Sequence, residues 1–152
     1  MRITTVKAKK VMKFTTNATL KDLDKYTGTK PSELYAEAQR CGYQTMEPQI
    51  WQYTGPDGKP DTVFKLEIML PIIGDGNGLK PEGFEIGEAK EFKALQTLHE
   101  GPWAEISPVY CKLMKHVADN ALQTTGVTRE VYIRCDFENQ ENCVTEVMIG
   151  LV

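Results

Sequence analysis

The alternation of apolar and polar positions divides the chain into two similar halves. Residues 11–16 alternate and read as a strand. Thr19 followed by Asp22 marks a helix start. Pro31 and Gly42 bracket a second helical segment, on which Leu34, Ala38 and Cys41 share one face. Two further strand-like runs, 49–53 and 63–72, flank the turn cluster Gly55-Pro56-Asp57-Gly58. The second half repeats this order. Residues 92–98 form a strand, Gly101-Pro102-Trp103 turns the chain, and Ser107-Pro108 opens a helix with the stripe Ile106, Tyr110, Leu113 and Val117. Gly126 precedes a strand at 129–135, a polar loop spans 136–142, and a last strand runs over 144–151.

Between the halves lies a stretch rich in glycine and acidic residues, from Gly74 to Gly87, whose composition suits a linker. The organisation expected is one domain over 1–152: repeat one at about 5–73, a linker at about 74–90 and repeat two at about 91–152. The two repeats are related by an offset of 79 residues. It carries Glu67 onto Glu146, Tyr53 onto Tyr132, Leu34 onto Leu113 and Ala38 onto Val117. The fold class that follows is α+β: tandem β-α-β-β repeats forming one antiparallel sheet, with two helices on one face and a ligand cleft on the other.

Strand alternation splits each strand into two sets. Leu66, Ile68, Leu70 and Ile72, with Val147, Ile149 and Leu151, are expected under the helices, and Val131 and Ile133 are assigned to the same side as aliphatic residues. The opposite face then carries Trp51, Tyr53, Glu67, Met69, Glu130, Tyr132, Glu146 and Met148. That set is too aromatic for a solvated surface and too acidic for a plain core. Aromatic rings attract cations, methionines repack around irregular shapes, and a desolvated carboxylate gains from a cationic partner. The plainer alternative is a set of surface glutamates paired with Arg134 or Lys65 for little energy. The repeated Glu–Met strand with aromatics beside it singles out Glu146. Glu67 and Glu130 fit either reading, and Trp103 serves equally as a capping aromatic or a pocket wall.

Composition narrows the classes further. The chain has 152 residues, 41% hydrophobic and 26% charged, with a net charge of −3. A mildly acidic chain lacks the basic face that direct nucleic-acid binding needs. The first residues have no apolar core of signal-peptide length, and no run is long enough to span a membrane, so a cytoplasmic location is expected. Cys41, Cys111, Cys135 and Cys143 show no CxxC spacing and read as buried reduced thiols. With only His99 and His116 besides, neither a metal site nor a haem or other cofactor is expected.

Taken in order, Gly101-Pro102-Trp103, the helix with Tyr110 and Leu113, Glu130-Val131-Tyr132 and Thr145-Glu146-Val147-Met148-Ile149 resemble the GyrI-like small-molecule-binding domain. This is the effector-binding domain also found at the C-terminus of AraC-type and MerR-type multidrug regulators. The resemblance covers almost the whole chain. It implies a cleft between the repeats for hydrophobic, often cationic, compounds, with a buried glutamate among aromatics. By motif Glu146 is the first choice, with Glu130, Tyr132, Trp103 and Tyr110 around it. The chain departs from the regulators in leaving no room for a helix-turn-helix module once both repeats are placed. It also has Gly150 where a proline is common in the family.

The function expected is therefore a stand-alone binder that senses or sequesters lipophilic, drug-like compounds, cationic ones among them. Two alternatives follow from relatives of the family. One is a hydrolase of cyclopropane-type electrophilic natural products, with Glu146 and Tyr132 as its catalytic residues. The other is a protein partner of DNA gyrase. The balance favours binding over turnover, since no Ser/His/Asp or Cys/His constellation is suggested by spacing.

Overall fold

The computed structural model describes residues 1–45 and 48–152. Among them the elements follow as β1 Arg2–Val6, β2 Lys9–Ala18, α1 Leu23–Thr27, α2 Lys30–Arg40, β3 Gln44–Thr45, β4 Ile50–Thr54, β5 Phe64–Ile73, β6 Glu85–Ala89, β7 Phe92–Glu100, α3 Ile106–Asp119, β8 Thr124–Arg134 and β9 Val144–Leu151. The strands make one antiparallel sheet in the order β1-β7-β9-β8-β4-β5-β2-β6, and β3 pairs with the far end of β5.

The 79-residue offset reappears as strand register. Gln52 faces Glu67 across β4–β5, and the equivalent Val131 faces Glu146 across β8–β9. Trp51 faces Ile68, and Glu130 faces Val147. Where the repeats meet, β4 pairs with β8 and places Trp51 directly opposite Glu130. These two residues are themselves equivalent, so the pseudo-twofold axis passes between them.

Both longer helices lie on one face of the sheet. Leu34 and Ala38 of α2 pack with Leu66, Ile68 and Leu70, while Leu113 and Val117 of α3 pack with Leu95, Val147 and Ile149. Each fully buried leucine or isoleucine contributes about 1.5–3 kcal/mol relative to exposure. Pro31 sits in the first turn of α2, where its missing N–H costs nothing. Gly42 follows that helix at φ +79°, and a Cβ there would come within 3.0 Å of the Asn77 side chain.

The sequence reading needs several corrections. Thr19 accepts from the Asp22 N–H at 3.3 Å, yet α1 begins only at Leu23, so the threonine caps a turn. The expected linker contains β6, and the first residues form β1. Each short strand crosses to the other repeat: β1 pairs with β7, and β6 pairs with β2. Backbone pairing asks little of side-chain pattern at an edge, so Glu85-Ile86-Gly87-Glu88-Ala89 gave no apolar signal. Cys41 and Cys143 are buried as expected, but Cys111 and Cys135 are exposed, on the outer surface of α3 and just beyond the end of β8.

The crossings fix the shape of the sheet. Only Lys7 and Ala8 separate β1, at one edge, from β2, near the other. Three chain steps span roughly 11 Å at most, so the two ends must come together. The sheet curls over the face that has no helices. There Val11, Ile50, Met69 and Ala89 form one buried cluster, and Phe92, Ala94 and Met148 form another. A side chain at Gly150 would collide with the Val127 carbonyl at 2.8 Å, which accounts for glycine in that strand.

Candidate functional site

On the helix face, Glu130 of β8 stands at the centre of an aromatic cluster. The Tyr110 hydroxyl, from α3, donates to Glu130 Oε2 at 3.0 Å, and the Tyr132 hydroxyl donates to Oε1 at 3.2 Å. The Tyr53 hydroxyl also lies near this carboxylate. Glu130 is 9% exposed. Burial pushes its carboxyl above the ordinary 4.5, against the pull of the three phenols. Burial, reinforced by the neighbouring carboxylate, also raises Tyr53 and Tyr110 well above the usual phenol range. Tyr132 is raised as well, by burial first and then by Tyr53 and Glu130.

Aromatic walls stand around this carboxylate. Trp51 meets Tyr132 edge-on at 5.5 Å, and Trp103 meets Tyr132 from another side at 6.3 Å. Trp103 leans on Phe137, a residue of the β8–β9 loop, at 5.4 Å. The Trp51 indole is fixed by donating to Gln49 Oε1 at 2.9 Å, and Gln49 in turn donates to the Pro31 carbonyl of α2 at 2.9 Å. Among the described residues no lysine, arginine or histidine forms an ion pair with Glu130.

The other face is organised differently. Glu67 pairs with Lys13 at 3.1 Å and Lys65 at 3.6 Å, and accepts from Gln52 at 3.2 Å. Arg129, 3% exposed, donates to Gln52 Oε1 at 2.7 Å and to the Lys90 carbonyl at 3.0 Å. Its guanidinium also lies 4.1 Å from the Phe92 ring centroid. Burial lowers Arg129 to about 10, with Glu67 pulling the other way. Nearby, a cavity of about 150 Å³ is lined by Lys9, Ile50, Arg129, Val131, Glu146 and Met148. Burial raises the Glu146 carboxyl, while Arg2 and Lys9 lower it. A site for a drug-sized molecule has roughly 300–1,000 Å³.

The ten candidate binding residues, eight of them expected to share one face, are thus divided. Trp51, Tyr53, Trp103, Tyr110, Glu130 and Tyr132 come together beneath the helices. Glu67, Met69, Glu146 and Met148 lie on the inner face of the curl. Register decides this. Glu146 is opposite Val131, so alternation puts Glu130 beside Val147. Val131 and Ile133 were assigned to the helices as aliphatics, but this sheet buries apolar residues on both faces, and apolarity alone does not identify a face. The Glu146–Tyr132 pairing of the hydrolytic alternative is likewise split between faces. Gln49 and Phe137 were missed. The alternation of Gln49 with Trp51 was a signal for the first; nothing in the sequence marked the second.

No protein-family model matches the chain, and no curated protein does. Solved structures are similar to it. The EcmrR C-terminal domain superposes with a TM-score of 0.81 at 18% identity, over 99% of this chain and 96% of that one. In an EcmrR–DNA complex the TM-score is 0.80 at 16% identity, and the match, over 99% of this chain, spans only 56% of that chain. SAV2435 bound to tetraphenylphosphonium gives a TM-score of 0.66 at 10% identity, over 99% and 93% of the two chains. A hydrolase encoded by lin2189 from Listeria innocua gives 0.61 at 12% identity, over 99% and 92%. The likeness is one of fold: a two-repeat α+β domain with both helices on one side of a curled sheet.

Proposed function

We propose that this chain binds lipophilic organic cations in the cleft over Glu130, for sensing or sequestration. The observation that carries the reading is a buried carboxylate with hydroxyl partners and no counter-ion among the described residues. A buried charge is costly until a partner of opposite sign arrives. An organic cation supplies that charge, and Trp51, Tyr132 and Trp103 add cation–π attraction of about 0.5–2 kcal/mol. The similarity in fold to SAV2435 bound to tetraphenylphosphonium supports the same ligand class. Because Glu130 is sealed, a ligand reaches it only after one or more of these rings swings aside. Phe137, 80% exposed over Trp103, marks the side with least packing to resist that movement.

Tetraphenylphosphonium titration followed by thermal shift tests this reading. The wild type should show saturable stabilisation, growing with ligand as mass action requires. Glu130→Gln should bind at least about tenfold more weakly, a loss of ~1.4 kcal/mol. Equal affinity in the two proteins would falsify the assignment of Glu130.

A further inference from the structure

Two buried polar atoms beside this aromatic cluster have no hydrogen-bond partner among the described residues: Trp103 Nε1 and Thr145 Oγ1. Both adjoin Tyr132. Thr145 lies directly opposite it across β8–β9, and Trp103 meets its ring edge-on. Thr145 has no exposed surface. Several polar groups nearby have partners of their own. The Tyr110 and Tyr132 hydroxyls serve Glu130, and His99 Nε2 is 2.9 Å from the Pro102 carbonyl. The other tryptophan of the cleft, Trp51, does have an acceptor in Gln49. Native structures seldom leave a buried donor unpaired without a reason, and an indole N–H can only donate.

We propose that the site selects cations that also carry a hydrogen-bond acceptor, such as an ester, ketone or ether oxygen, placed beside the Tyr132 ring. The inference rests on the cation reading above: Glu130 takes the charge, and Trp103 Nε1 donates to the acceptor with Thr145 Oγ1 beside it. An aromatic cation without an acceptor fills the same space but leaves both groups unpaired. Sites built to hydrogen-bond a ligand discriminate against analogues that lack the matching group.

The test compares two matched probes by isothermal titration: benzyltriphenylphosphonium and its 4-methoxycarbonyl derivative. They have the same charge and differ by one ester. The wild type should prefer the ester by about tenfold. Trp103→Phe keeps a ring but removes the N–H. It should bring the two probes to equal affinity, since any cation–π attraction lost with the indole falls on both alike. Thr145→Val, a second variant, should reduce the preference to about threefold. Glu130→Gln should weaken both probes alike and keep the preference. Equal wild-type affinities, or a preference untouched by Trp103→Phe, would overturn the proposal while leaving Glu130's role standing. Failure of both probes to bind wild type would remove the cation reading itself, and this inference with it.

Discussion

Glu67 and Glu130 are two glutamates of one sheet, 7% and 9% exposed, and they are treated in opposite ways. Glu67 faces the inside of the curl, where Lys13, Lys65 and Gln52 meet its oxygens. Glu130 faces the helices, where, among the described residues, tyrosine hydroxyls meet it. The first is an internal ion pair, complete as it stands. The second is a buried carboxylate with no counter-charge among the described residues, and it is the one proposed to meet a cation. Its position fits that proposal. Glu130 occupies the place held by Trp51 in repeat one, next to the pseudo-twofold axis and between the two helices. The symmetry is broken where one cleft can use one tryptophan and one carboxylate together.

The largest expected effect comes from breaking the satisfied face. Arg129 ties the repeats together through Gln52 of repeat one, the Lys90 carbonyl and the Phe92 ring. Arg129→Ala should cost about 3 kcal/mol, because it strands groups that the guanidinium now serves. That is a fall in Tm of roughly 6–12 °C for a domain of this size. Urea unfolding measures it. A loss under about 1 kcal/mol would mean the network behaves like a surface pair and the contrast is overdrawn. Tetraphenylphosphonium affinity of the folded variant should stay within about twofold, since the guanidinium and the cleft lie on opposite faces.

The next effect is a pH dependence at Glu130. Glu130 is raised above its ordinary 4.5 in the folded state, so the folded chain holds that proton more tightly than the unfolded one. Stability from this group is therefore present below the unfolded value and declines as pH rises through the window between the two. Glu130→Gln removes the decline. Above that window the variant should be at least as stable as wild type. Cation affinity should run the other way, rising across the same window as the carboxylate ionises. Denaturation and titration series from pH 4 to 8 test both signs, and parallel stability curves for the two proteins would count against a raised Glu130.

Much of this contrast was legible in the sequence, but not its geometry. The repeat offset was read from Glu67 and Glu146, and it survives as strand register. All six residues of the aromatic cluster stand among the candidates that the sequence pattern singles out. What failed was the assignment of faces, because it treated Val131 and Ile133 as pointing to the helices. In a sheet buried on one side that inference holds. Here β1 and β6 cross between repeats and close the sheet into a second core, and neither strand had an apolar pattern to announce it. The partners of Glu67 and Glu130 were equally hidden, since pairing depends on which strands become neighbours rather than on spacing along the chain.

The smallest expected effect concerns Glu146, the residue the motif favoured. It lies on the inner face opposite Val131, beside a cavity of about 150 Å³, with Arg2 and Lys9 offsetting part of its burial. Glu146→Gln gives up that attraction and also the cost of a half-buried charge, so stability should change by no more than about 0.5 kcal/mol. Tetraphenylphosphonium affinity should remain within about twofold of wild type, because the sheet itself separates Glu146 from the aromatic walls. A tenfold loss in this variant, with Glu130→Gln unaffected, would place the ligand inside the curl. The cavity would then have to widen at least twofold to admit it, and the division of labour between the faces would be reversed.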